Sequence, residues 1–223
     1  MDFLPGFNWL NNYFSSLGFH GFTADLLVAG ALTLVIMVSV IIVGFFVDLI
    51  DTVVFSLFKR LLGLKGAIII CRYLTFPGIM LHELAHALFI IITGGRIKSI
   101  CLLSRLKEGG VGQVQFWAVG SRRRQAVQLA LSSCAPVLMG FIEETILLIL
   151  LLYFKIPFPF SIMLWYMVFT IGVHMSMSRE DLKCYLKGWM YILPVMFLFI
   201  LFVQYLVYDY RILSIISSGL AGH

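Results

Sequence analysis

The chain has 223 residues, of which 61% are hydrophobic and 12% charged, and its mean hydropathy is +1.01. Soluble domains carry about a quarter charged residues, so this composition excludes an ordinary water-soluble globule and points to a single-domain polytopic membrane protein. The net charge of +5 calls for no nucleic-acid partner, because the cations gather at the ends of apolar segments, where lipid headgroups lie.

Residues 1–23 are mixed and aromatic and read as an interfacial N-terminal segment. No cationic n-region or small-residue cleavage site marks a cleaved signal peptide there. Residues 24–215 read as one transmembrane domain, and 216–223 as a C-terminal tail. Ala24 to about Ile50 is the first spanning candidate, long enough for a hydrocarbon core of about 30 Å. The stretch "FKRLLGLKG" then places Lys59, Arg60 and Lys65 near headgroups. The next apolar run, Ala67 to Thr93, is interrupted by Arg72 and by Pro77-Gly78. A proline costs little in the first turn of a helix, so a helix is predicted from Pro77, with Gly94-Gly95 as its stop.

The segments "RIKSICLL" and "VGQVQF" partly alternate in polarity and are separated by "SRLKEGG", a β-hairpin signal. Arg122, Arg123 and Arg124 in "SRRRQ" read as a topology anchor. Ala126 to Phe154 is a long apolar helix with Pro136 and Gly140 as expected kinks and Glu143-Glu144 inside it. "KIPFPF" is a turn, Phe160 to about Met175 the next span, "HMSMSREDLKCYLKG" a break, and Trp189 to about Val207 the last span. The expected fold is an all-α polytopic membrane protein, with about five transmembrane helices and a short membrane-associated β-hairpin after the helix that begins at Pro77. Cys71, Cys101, Cys134 and Cys184 are widely spaced without a C-x-x-C, so neither a zinc ribbon nor a redox pair is indicated.

His82-Glu83-Leu84-Ala85-His86 is H-E-x-x-H. Residues four apart share one face of a helix, so two neutral imidazoles can meet one Zn²⁺ at about 2.0–2.1 Å each. Glu83 can reach a metal-bound water as general base. A third protein ligand would leave the open position that a catalytic site needs. Polar groups in the middle of an apolar helix are expensive in hydrocarbon and point to function. Plain hydrogen bonding to neighbouring helices is the competing explanation, and it does not require this spacing.

"HELAHALFIIITGGRI", followed by a short hairpin and a helix carrying "CAPVLMG", resembles the site-2 protease family of intramembrane zinc metalloproteases. The resemblance runs from about Phe76 to Lys183. It implies one Zn²⁺ held by His82, His86 and an aspartate on a later segment, with Glu83 as the base. The best match to that aspartate is Asp181 in "SMSREDLKCYLKG", although the family's Asn and Pro are missing and Lys183 stands where Gly is expected. Glu143, Glu144 and His174 remain alternatives for the third ligand. The implied activity is hydrolysis of a peptide bond in or near a substrate's transmembrane helix. The substrate would be a membrane protein or membrane-anchored peptide within the lipid bilayer. Several family members carry a sensing module, for which this chain has no room, so substrate choice would fall to the membrane core or to a separate regulatory partner. Size and resemblance suggest a multi-pass protein of a bacterial cell membrane.

An intact transmembrane helix hides its carbonyls, so a strand edge beside the metal could receive an unwound substrate segment by β-strand addition. Gly109 to Phe116 is the candidate edge; a plain surface hairpin is the alternative. Other function classes stay open from sequence: a non-catalytic zinc-binding membrane adaptor, a metal or proton transporter, or another H-E-x-x-H membrane protease with a helix-borne glutamate ligand.

Overall fold

The structure, a computed structural model, describes residues 5–102 and 112–220. It is mostly helical, in the order α1 (Pro5–Ser16), α2 (Phe22–Leu74), α3 (Phe76–Ile92), β1 (Arg96–Cys101), β2 (Gln113–Trp117), α4 (Arg122–Tyr153), α5 (Phe158–His174) and α6 (Arg179–Leu220). The chain forms two compact units, residues 1–38 with 191–223, and residues 39–190. In the first unit Gly30 of α2 faces the ring of Phe197 of α6. The second unit holds the H-E-x-x-H helix and everything packed around it.

Among the described residues three helices are long and apolar enough to cross a membrane, Phe22–Cys71, Arg122–Tyr153 and Arg179–Leu206, and their most apolar 18-residue windows have mean hydropathies of 3.0, 2.1 and 2.0. Only 28%, 22% and 17% of their most apolar windows are buried by the protein itself. Side chains such as Phe45, Phe46, Phe141 and Leu198 therefore face outward, as in a protein that meets lipid. The helices α3 and α5 have 17 residues each, about 25 Å of helix, shorter than a hydrocarbon core of about 30 Å. Among the described residues, three helices are thus long enough to cross on their own, and α3 and α5 are two shorter apolar helices; about five spans were expected.

Two boundaries also depart from the sequence reading. The "FKRLLGLKG" stretch is helical on both sides of a kink that falls inside it. Leu, Lys and Arg are strong helix formers, and α2 continues through them to Leu74, broken only at Gly63, whose φ of 72° and ψ of 172° lie outside the helical region. The break after α5 is also shorter than expected, because α6 begins at Arg179 rather than near Trp189. Ser178 caps it: its N–H and Oγ–H donate to Asp181 Oδ2 at 3.2 and 2.5 Å, while Asp181 N–H donates to Ser178 Oγ at 3.2 Å. That reciprocal pairing is a capping box with Asp in the third helical position.

The end of α3 follows the sequence closely. Gly94, with φ of 81°, adopts the left-handed conformation. Gly94 N–H donates to Ile91 O at 2.9 Å and Gly95 N–H to Ile90 O at 2.8 Å, a Schellman closure. The chain then enters the antiparallel pair β1–β2, in which Arg96 stands opposite Trp117 and Ile100 opposite Val114. The turn of the expected hairpin, including Gly109 to Val111 of the candidate edge, lies outside the described residues. Gln128, buried on α4, ties these pieces together: it donates to Thr93 O at 2.9 Å and accepts from Val119 N–H at 2.8 Å.

The core of this unit is α3 packed against both α4 and α5. Close approach is bought with small residues. A Cβ on Gly78 would lie 2.5 Å from the Thr170 carbonyl carbon of α5, and one on Gly140 of α4 would lie 2.6 Å from Met175 Cβ. A Cβ on Gly188 of α6 would lie 2.6 Å from Ala130 Cβ of α4. These contacts bring the end of α5, the 175–178 segment and the start of α6 to the middle of α3 and α4, at the level of His82.

Candidate metal centre

The helix α3 presents Gly78, Ile79, Ala85, His86 and Ile90 to the interior, and Leu84 and Leu88 outward. His82 and His86 lie one turn apart and their rings meet edge to face, with centroids 4.8 Å apart. Their Nε2 atoms are 3.2 Å apart. Two nitrogens each about 2.0–2.1 Å from one tetrahedral zinc would be separated by about 3.3 Å, so the spacing fits a shared ion.

Tautomers strengthen that fit. His82 Nδ1 donates to His174 O at 2.6 Å, and His86 Nδ1 donates to Ser132 O at 2.7 Å. A backbone carbonyl only accepts, so each Nδ1 carries the proton and each neutral ring directs an Nε2 lone pair at the other. Two lone pairs at that distance repel unless a cation lies between them. A proton would leave an imidazolium among apolar helices; a divalent metal satisfies both nitrogens together. Carbonyl acceptors on the outer nitrogens are also what orients metal-bound histidines. Ser132 adds a second tie to α3, its Oγ–H donating to His86 O at 3.2 Å.

Glu83 sits beside His82, against the entrance of β2. A Cβ on Gly112 would lie 2.9 Å from Glu83 Cγ and 3.2 Å from Glu83 Oε1, so the absent side chain lets the strand close over this carboxylate. The backbone N–H of Val114 is directed at the same carboxylate. Asp181 is near enough to act on the charge of Glu83. Its Oδ2 receives both Ser178 bonds, which leaves Oδ1 as the atom it can offer elsewhere. Among the described residues, no group of three or more His, Cys, Asp or Glu side chains is close enough to hold an ion. The two histidines converge, and a metal ion held there would need a third donor to approach them.

The alternatives divide. His174 turns its ring away from the pair and donates from Nε2 to Thr75 Oγ1 at 2.7 Å; the Thr75 hydroxyl in turn donates to Cys71 O. Its contribution to the centre is its main-chain carbonyl. Glu143 lines a narrow crevice with His82, Pro136, Gly140, His174 and Met175, with a free volume of about 10 Å³, room for about one water molecule. Glu144 lies against Gly172 of α5. Gly112 and Val114 fall within the strand edge expected at Gly109 to Phe116, whereas sequence reasoning missed the main-chain carbonyls of Ser132 and His174 as parts of the site. Backbone groups leave no mark in a motif; the one available signal was Pro136, four residues after Ser132.

No family model, no curated protein and no solved structure matches the chain.

Proposed function

We propose that the chain is an intramembrane zinc metalloprotease that hydrolyses a peptide bond in or near the transmembrane helix of a membrane-protein substrate. The observation that carries this reading is the pair of Nε2 atoms facing each other at 3.2 Å while both Nδ1 atoms are held by main-chain carbonyls. His82 and His86 would hold the ion, with Asp181 Oδ1 as third donor. When bound, zinc polarises a carbonyl and brings the pKa of a coordinated water to about 7. Glu83 accepts the proton as water adds to the scissile carbonyl, then delivers it to the departing amine as the C–N bond breaks. The strand β2 offers a main-chain edge beside Glu83, where an unwound substrate segment can pair. The helices α3 and α5 complete a bundle of about five spans, with their ends continued by flanking segments.

The test is cleavage in proteoliposomes that contain the full chain and a panel of tagged single-span membrane peptides. Cleavage by the wild type, lost with a zinc chelator and in Glu83→Gln, supports the reading. Cleavage that persists in Glu83→Gln refutes it.

A further inference from the structure

In an α-helix the carbonyl of each residue accepts the N–H four residues on. The two carbonyls that hold the histidine pair are both denied that partner, for different reasons. Ser132 is wholly buried, and the residue four positions later is Pro136, which has no N–H. His174 is the last residue of α5, so its carbonyl is one that the helix end leaves without an intrahelical donor, and the N–H of Ser178, four positions later, is engaged by Asp181 Oδ2 at 3.2 Å. A buried carbonyl left without a donor is costly. His86 and His82 supply the missing protons, at 2.7 and 2.6 Å.

We propose that Pro136 is a positioning residue for His86, and that the Ser178–Asp181 cap is its counterpart for His82. Pro136 withholds a helical amide from Ser132 O, and the cap keeps the Ser178 N–H engaged beyond the end of α5, so that in each case a main-chain carbonyl remains to bind an Nδ1 proton and turn Nε2 toward the ion. The proposal rests on the metal-centre reading. It gives Asp181 a task separable from ligation, because the cap uses Oδ2 alone. It also explains why a proline stands inside α4 on the face that meets α3, where it lines the crevice beside His82.

Pro136→Ala supplies the absent N–H. Ser132 O then has an intrahelical donor and His86 loses its exclusive acceptor. Two quantities move in opposite senses. The metal-free protein resists heat better, since a proline inside a helix is unfavourable. Zinc affinity falls about 10–100-fold, the usual cost of losing an outer hydrogen bond to a metal-bound histidine. A proline with only a structural role would move stability and zinc affinity the same way.

The experiment uses the full chain in detergent micelles with ¹⁵N-labelled histidine, metal-free and at alkaline pH. Nitrogen chemical shifts report the tautomers, and zinc affinity is read by competition with a chelator. The wild type is expected to carry Nδ1–H at His82 and His86, and Pro136→Ala to gain the Nε2–H form at His86 alone. Wild-type His86 with its proton on Nε2 overturns the proposal. So does a folded Pro136→Ala whose tautomer is unchanged and whose zinc affinity is within about twofold of wild type. If the variant does not fold, the wild-type spectrum still decides. Nδ1–H at both rings in a chain that binds no zinc would sink the metal centre and leave this positioning intact.

Discussion

Replacing Gly78 by alanine tests whether the contact between α3 and α5 sets the geometry of the centre. The added Cβ would lie 2.5 Å from the Thr170 carbonyl carbon and 2.9 Å from His174 Cδ2. Carbon atoms rest at about 3.5–4.0 Å, so α5 must retreat by about 1 Å. The His82 Nδ1 to His174 O bond, now 2.6 Å, would open to about 3.6 Å, where no hydrogen bond survives. His82 would lose its tautomer lock, and zinc affinity should drop about 10–100-fold, or about 1.4–2.7 kcal/mol. Overpacking adds a stability loss of about 1–3 kcal/mol. Chelator competition in micelles measures the first and thermal unfolding followed by circular dichroism measures the second. Gly30→Ala is the control: its Cβ would meet only Phe197, at 3.9 Å, so zinc affinity should not change. A Gly78→Ala protein that unfolds earlier yet binds zinc as tightly as wild type would refute the link from helix contact to histidine geometry.

Other outcomes follow from the same geometry. Glu83→Gln removes a base without removing a ligand; zinc content should stay at the wild-type level while cleavage falls about 10²–10⁴-fold, measured as peptide products by mass spectrometry. Asp181→Asn keeps an oxygen for the Ser178 cap and loses the carboxylate charge, whereas Asp181→Ala loses both. If Asp181 is the third ligand, both variants lose zinc. Retention by Asp181→Asn alone would assign Asp181 to the cap and leave the third position to another donor. Gly112→Ala pushes β2 away from Glu83, against contacts of 2.9 Å to Glu83 Cγ and 3.1 Å to Ile79 Cγ2. A displacement near 1 Å at a catalytic group costs about 10²-fold in turnover, with zinc content unchanged. In the double variant with Ile79→Ala, part of that loss should return, a non-additivity that kinetic measurement of all four proteins reveals.

How much of this was legible in the sequence depended on whether a side chain or the backbone carried the information. The H-E-x-x-H spacing placed both histidines on one helical face, and Gly94-Gly95 announced the stop that the backbone makes. The hairpin was readable from alternation at Arg96–Cys101 and Gln113–Trp117. Between Lys59 and Lys65 the helix propensity of Leu, Lys and Arg keeps α2 helical on both sides of Gly63, which alone breaks it. The S-x-x-D capping box at Ser178–Asp181 was present but was passed over in favour of a ligand role for Asp181, so the start of α6 was placed too late. Main-chain carbonyls at Ser132 and His174 have no letter of their own. Their availability depends on what stands four residues later, and that becomes meaningful only when the folded chain sets a histidine opposite each of them.

The most direct test of the account is the metal content of the purified full chain, wild type beside His82→Ala and His86→Ala, by elemental analysis after zinc loading and gel filtration. The account predicts about one zinc ion per wild-type chain and background levels in each variant. A wild-type chain that holds no zinc, or variants that keep the ion with either imidazole gone, would contradict it.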